Sequence, residues 1–236
     1  MRHYGVTHIG LRENNEDRFL IRELEDGNIL LAVADGMGGH VGGEQAAQIT
    51  VQSMLAFRMR YADPQEQMVN LAQDANRKIS ELMQRDASLD GMGTTLTAAL
   101  IGNGAVHWVH AGDSRLYLIR EGVIVQVTDD HTVPGLLLQE GEISRAEAHI
   151  HPMRNVLLNC ICGERFELDT GILPVSGGDL ILLSTDGLHD SVPEERIISI
   201  LTDSNASLRA KLNALINAAL TEGGRDNITV VGVEIK

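Results

Sequence analysis

Four acidic segments, each set at the edge of an apolar, strand-like run, constrain this chain more than any other feature. They read Arg12-Glu13-Asn14-Asn15-Glu16-Asp17, Ala34-Asp35-Gly36-Met37-Gly38-Gly39, Ser184-Thr185-Asp186-Gly187 and Gly224-Arg225-Asp226-Asn227. Carboxylates gathered at strand ends without matching Lys or Arg need cations, and an all-oxygen donor set suits Mg²⁺ or Mn²⁺. The pattern predicts a metal-dependent hydrolase.

Charge supports the same expectation. The formal net charge is −14, spread along the chain rather than held in a tail. A nucleic-acid binder would want a basic face, and none is visible. An anionic substrate would be repelled unless bound cations reverse the local field. With 236 residues, 43% of them hydrophobic, the chain can build a core without staples. Its only cysteines, Cys160 and Cys162, have a C-x-C spacing that matches neither a zinc ribbon nor a thioredoxin-type pair. A disulfide between them would be strained, so reduced, part-buried thiols and a cytoplasmic setting are expected, with a redox switch as the alternative. The N-terminus starts with strand-like sequence and shows no signal-peptide core, and no apolar run approaches a membrane span.

No internal repeat, low-complexity tract or Pro/Ser linker interrupts the chain, so residues 1–236 are expected to form one domain. Ile29 to Ala34 is a continuous apolar run, typical of a strand buried on both faces. Thr94 to Ile101, Val106 to His110, Arg115 to Ile119, Leu180 to Ser184 and Asn227 to Val233 also read as strands. Gly104 and Glu121-Gly122 punctuate them like hairpin turns. Helical stripes fall at Ala47, Val51, Met54 and Leu55, at Met68 through Leu82, and at Leu208 through Ala219. Asp63-Pro64-Gln65-Glu66 is a helix start, and Ser144 to Glu147 and Ser191 to Glu194 read as capping boxes. Hairpin-linked strands with helices in pairs do not fit the strict alternation of a doubly wound sheet. They predict an α+β fold of antiparallel sheets packed together and covered by helix pairs.

Taken singly, a D-G pair is a plain turn. An ordered set of local spellings changes that weighing: R-E-N-N-E-D, V-A-D-G-M-G-G-H-V-G-G-E, G-T-T-L-T-A, A-G-D-S-R-L-Y, D-D-H-T, S-T-D-G-L-H-D and G-G-R-D-N-I-T-V-V. In this order, from Arg12 to Val231, the chain resembles the metal-dependent protein phosphatases of type 2C in their compact bacterial form. The resemblance implies a four-layer αββα sandwich, two central antiparallel sheets flanked by antiparallel helix pairs. It also implies hydrolysis of phosphoserine and phosphothreonine in proteins, by direct attack of a hydroxide held between two Mn²⁺ or Mg²⁺ ions.

By the same resemblance, Asp35 looks like the carboxylate bridging the two metals, and Asp186 and Asp226 like ligands of the first. The Gly36 carbonyl resembles a ligand of the second metal, with Glu16 contacting it through water and Asp17 supporting the shell. Asp113 matches a position that joins Asp186 at a weaker third site. Arg12 resembles the arginine that grips the substrate phosphate, its planar fork suiting two oxygens. A Ser/Thr kinase is the implied counterpart and phosphoproteins the implied substrates; separately from the resemblance, a cytoplasmic monomer is expected.

The general acid is left unassigned, with His40 a candidate and His131 expected to orient its loop. His189 is read as structural and Trp108 as core. The segment 133–163 corresponds to a variable flap, and Asn155 to Gly163 departs from the family spelling near its end. Two other readings keep part of this picture: a non-catalytic module that recognises phosphoproteins, and a hydrolase of small phosphate esters.

Overall fold

The computed structural model describes residues 1–38, 42–58, 63–163 and 166–236. His40 therefore lies outside the described residues. Among them no helix is long and apolar enough to cross a membrane.

Two five-stranded antiparallel sheets form the centre. One holds β1 (Arg2–His8), β8 (Arg115–Arg120), β9 (Val123–Gln126), β11 (Leu180–Ser184) and β12 (Ile228–Glu234), in the order β1-β12-β11-β8-β9. The other holds β2 (Arg18–Glu23), β3 (Ile29–Ala34), β6 (Leu96–Gly102), β7 (Ala105–Ala111) and β10 (Asp169–Pro174), in the order β10-β7-β6-β3-β2. A short ribbon pairs β4 (Gly36–Met37) with β5 (Gly93–Thr94).

The alternation of side chains on β3 shows why these sheets stack. Ile29, Leu31 and Val33 meet Leu116, Leu118, Ile181, Leu183, Val231 and Val233 between the sheets. Leu30, Ala32 and Ala34 point the other way, under α1 (Gly42–Met54) and α2 (Pro64–Arg85). On the opposite outer face, Leu180, Leu182 and Val230 pack under α6 (Glu194–Leu201) and α7 (Leu208–Thr221). A strand apolar on both faces is what such a four-layer stack requires, and the αββα expectation agrees with it.

The helices follow their local signals with one exception. Asp63 caps α2 by accepting from the Gln65 N–H, and Ser144 and Glu147 complete a reciprocal capping box on α4 (Arg145–His149). The box expected at Ser191 to Glu194 does not form: α6 is preceded by Pro193 with no side-chain cap. Ser191 and Val192 instead donate their N–H groups to the Leu188 carbonyl, prolonging the turn that ends α5 (Asp186–His189). Helix α3 (Val133–Gln139), the edge strand β10 and the short strand β9 were not among the expected elements. The expected strand from Thr94 is split at Thr95, which leaves the ladder to bind Asp35. Leu55 falls just past the end of α1 and is 44% exposed, and Trp108 is only partly buried against the inter-sheet core.

His110 on β7 is fully buried, with its Nδ1 2.9 Å from the Thr97 hydroxyl and its Nε2 3.0 Å from the Asp129 carbonyl. Burial pushes its pKa down from 6.5 to about 4. Between those values the unfolded chain binds a proton that the folded one does not, so stability is lost as pH falls through this window. The loss amounts to roughly 3 kcal/mol once the lower pKa is passed. H110Q should flatten the fall of the urea midpoint from about pH 6.5 to 4; parallel profiles for both proteins would reject this origin.

Candidate metal centre

Strand register brings the acidic segments to one end of both sheets. Arg18 pairs with Ala34, so Asp17 and Asp35 flank the same rung of β2 and β3. Ser184 pairs with Arg115 on one side and Val230 on the other, which sets Asp186 near the starts of β8 and β12. Asp113 and Asp226 lie two residues before those starts.

Each carboxylate has its own support. The Asp35 N–H donates to the Thr95 hydroxyl (2.9 Å), and the Asp35 carbonyl accepts from the Thr94 hydroxyl (2.8 Å) and the Thr95 N–H (2.9 Å). Its backbone is thereby held without help from its carboxylate. Asp17 is buried, and its Oδ2 accepts from the hydroxyls of Thr229 (2.6 Å) and Thr185 (2.9 Å). The turn before Asp113 needs Gly112, whose φ is +111° and whose added Cβ would come 2.5 Å from Thr95 Cγ2. The Thr95 and Ser114 hydroxyls lie 2.8 Å apart behind that turn. Asn227 donates its amide to the carbonyls of Ile9 and Asn14, both at 2.9 Å, and accepts the Glu16 N–H at 2.8 Å. It ties the Arg12–Asp17 loop to the end of β12.

These carboxylates are short of positive charge. Burial, then the charge of Asp17, raises the pKa of Asp35 well above the ordinary range. Burial, then Asp113, does the same for Asp186. Burial lifts Asp17 to about 7 even with its two hydroxyl donors, and burial with Asp130 and Asp190 lifts Asp113 to about 7. Arg12 is the cation at the rim: its Nη2 lies 2.7 Å from Asp226 Oδ2 and its Nε donates to the Arg225 carbonyl at 3.2 Å. The side chain is 58% exposed, and its charge is also felt by Asp186 and Asp35.

Among the described residues no three His, Cys, Asp or Glu side chains are drawn together tightly enough to hold an ion on their own. The carboxylates instead stand apart around the strand ends, within electrostatic reach of one another, an open ring. Such a ring still fits hard divalent cations, which keep several waters and take one or two carboxylates each. Two observations support the fit. Oδ1 of Asp17 and Oδ1 of Asp186 are buried with no hydrogen-bond donor, a costly state for a carboxylate without a cation. Gly36 also lies so close to its neighbours that an added Cβ would sit 2.2 Å from the Gly43 carbonyl and 2.8 Å from that of Glu16. The backbone there is packed for close approach, with the Glu16 carboxylate against Gly43 at the start of α1.

A groove of about 550 Å³ runs from this ring, lined by Asp113, Asp186 and Asp190 on the body and by Arg145, His149 and Arg154 on α4 and the loop after it. Ion pairs of 3.8 Å, Arg154 to Asp190 and Arg145 to Glu194, span it. The Arg115 fork engages Asp130 at 2.8 and 2.6 Å and keeps that carboxylate out of the ring. His131 accepts from the Gly112 N–H (3.2 Å) and faces Asp169 (3.1 Å), which ties its loop to the Asp113 turn. His189 is buried against Ser184. Glu44 pairs with Arg18 at the start of α1, and Glu13 is exposed. Thr95, Thr185, Thr229 and Asn227, which hold these carboxylates in place, were missed as site residues; Thr185 and Asn227 at least stand next to Asp186 and Asp226, whereas Thr95 and Thr229 have no acidic neighbour in sequence.

Known proteins resemble this chain along nearly its whole length. A family model described as Protein phosphatase 2C matches residues 4–222. Serine/threonine phosphatase stp of Listeria monocytogenes is 37% identical over 231 residues, covering 95% of this chain and 91% of that protein. The crystal structure of the Mycobacterium tuberculosis serine/threonine phosphatase PstP/Ppp superposes with a TM-score of 0.91 at 36% identity, covering 100% of this chain and 98% of that one. The catalytic domain of PstP in complex with 2 manganese ions superposes with a TM-score of 0.88 at 34% identity, covering 100% and 98%.

Proposed function

This chain belongs to the protein phosphatase 2C family, and we propose that its ring of strand-end carboxylates is the centre that performs the family's chemistry. It is a metal-dependent protein serine/threonine phosphatase that works with two Mn²⁺ or Mg²⁺ ions. The observation that carries our site assignment is the convergence of buried, uncompensated carboxylates from separate segments, two of them with orphaned oxygens.

Asp35, the Gly36 carbonyl, Asp186 and Asp226 would hold the two cations, with Glu16 and Asp17 supporting their waters. Asp113 would join Asp186 at a weaker third site. When bound, the cations supply a water activated near neutral pH and positive charge beside the phosphoryl oxygens. Thr185 and Thr229 fix one oxygen of Asp17 and leave the other for a water. Arg12 stands half-exposed at the mouth, where its planar fork can turn from Asp226 to two phosphoryl oxygens and orient phosphorus for in-line attack. The exposed rim and open groove suit a phosphorylated side chain on a protein better than an enclosed small ester. We read residues 1–236 as one such domain, with 133–163 as its flap, acting as a cytoplasmic monomer. A Ser/Thr kinase, whose product this reaction consumes, is its counterpart.

Phosphate release from a phosphothreonine peptide with Mn²⁺ should exceed that from small phosphate esters in kcat/KM. R12A should lower kcat/KM on the peptide about 10–100-fold, the worth of charged hydrogen bonds to phosphate. R12K should recover only part, because a point charge cannot fork. An unchanged kcat/KM in R12A would remove Arg12 from the substrate site, and equal or better turnover of small esters would overturn the protein-substrate reading.

A further inference from the structure

Cys160 and Cys162 take no part in the chemistry above, yet they lie next to the ribbon that serves it. Ile161 between them is fully buried in the core beneath α1 and α2. Neighbouring side chains in an extended segment alternate, so the two cysteines leave on the other side, and both are partly exposed. Neither is in a disulfide. The Ile161 backbone exchanges two hydrogen bonds with Thr94, N–H to carbonyl in each direction, both 2.9 Å. Thr94 donates its hydroxyl to the Asp35 carbonyl at 2.8 Å, and its strand neighbour across the ribbon is Gly36. On the far side, Gly163 donates its N–H to Asn76 of α2 at 2.7 Å. The cysteine segment is thus stitched between α2 and the turn that presents Asp35 and the Gly36 carbonyl.

We propose that Cys160 and Cys162 form an oxidation site, where a peroxide closes an intramolecular disulfide that loosens the turn carrying Asp35. The inference rests on reading Asp35 and Gly36 as metal-holding groups. One thiol, as its thiolate, attacks the peroxide; the S–O bond forms, the O–O bond breaks, and the departing hydroxide takes up the thiol's proton as the first water, leaving a sulfenic acid. The second thiol, as its thiolate, attacks that sulfur; the S–S bond forms, the S–O bond breaks, and the departing hydroxide takes up this thiol's proton as a second water. Two thiols give up two electrons and the peroxide takes them. In an extended segment, residues i and i+2 have Cα atoms about 6.6 Å apart. Disulfides prefer about 5.5–6 Å. Closing the ring toward that preferred span draws the backbone together across Ile161, the residue whose N–H and carbonyl both engage Thr94.

The test uses the purified full chain, reduced, treated with hydrogen peroxide and then freed of it. The peptide Asn155–Arg165 should lose two hydrogens by mass. Mn²⁺ affinity, read by calorimetry without turnover, should weaken about 10-fold, the scale of lost support around a metal. Phosphate release should fall with it, and dithiothreitol should restore both. C160S and C162S, with C160A and C162A as second choices should a serine variant misfold, should keep the activity of the reduced protein and ignore peroxide. Absence of the intramolecular disulfide, or a disulfide with unchanged Mn²⁺ affinity, overturns the proposal. A reduced wild type that binds Mn²⁺ without turnover would fault the functional reading instead, and mass and affinity would still decide this one.

Discussion

Replacing Asp35 with Asn is expected to lower phosphate release from a phosphothreonine peptide by at least about 10³-fold, roughly 4 kcal/mol of barrier, and to leave the fold standing. The two effects separate because the Asp35 backbone is held by Thr94 and Thr95, independently of its side chain. Asn keeps the volume and removes the charge by which Asp35 is proposed to hold the cations. Stability should move the opposite way from activity. Burial and the neighbouring carboxylates raise the pKa of Asp35, so in metal-free protein its ionised form opposes folding. In chelator, D35N should melt at or above the wild-type temperature. Full activity in D35N would remove Asp35 from the centre. Lost activity with a lower melting temperature in chelator would mark the carboxylate as a structural group instead.

What could be read from the chain follows from how local each signal is. Ile29 to Ala34 announces a strand buried on both faces because all six side chains carry the message, and each one is buried. The acidic residues are visible because each sits beside its own strand. Thr185 and Thr229 are not visible in this way, since their meaning is a contact with Asp17 across 168 and 212 residues of sequence. Asn227 is hidden for the same reason: its partners are backbone groups of Ile9, Asn14 and Glu16. The Ser191 to Glu194 spelling misleads because a local capping signal lost to the backbone bonds that end α5. Strand β10 escaped notice because it is an edge, with Gly171 laid against the Trp108 ring and Pro174 at its end, and little of it is buried.

Removing the cations should abolish activity and also cost stability, by an amount that depends on pH. Asp17 and Asp113 shift from 3.8 to about 7 in the folded protein, chiefly through burial. Between those values the folded chain holds protons that the unfolded chain has released, so the metal-free protein loses stability as pH rises through the window. Cations reverse this, because they bind the ionised carboxylates and compete with protons. The gain in melting temperature on adding Mn²⁺ should therefore be small near about pH 5 and large near about pH 7.5. At free metal about 100-fold above Kd the stabilisation is about 2.7 kcal/mol, roughly 5–10 °C for a chain of this size. Thermal melts with Mn²⁺ and with EDTA at the two pH values, beside phosphate release in the same buffers, make the measurement. A shift of equal size at both would place the bound cations on surface carboxylates of ordinary pKa, outside the buried ring. A shift that grows with pH and disappears in chelator together with activity ties catalysis and stability to the same buried charges.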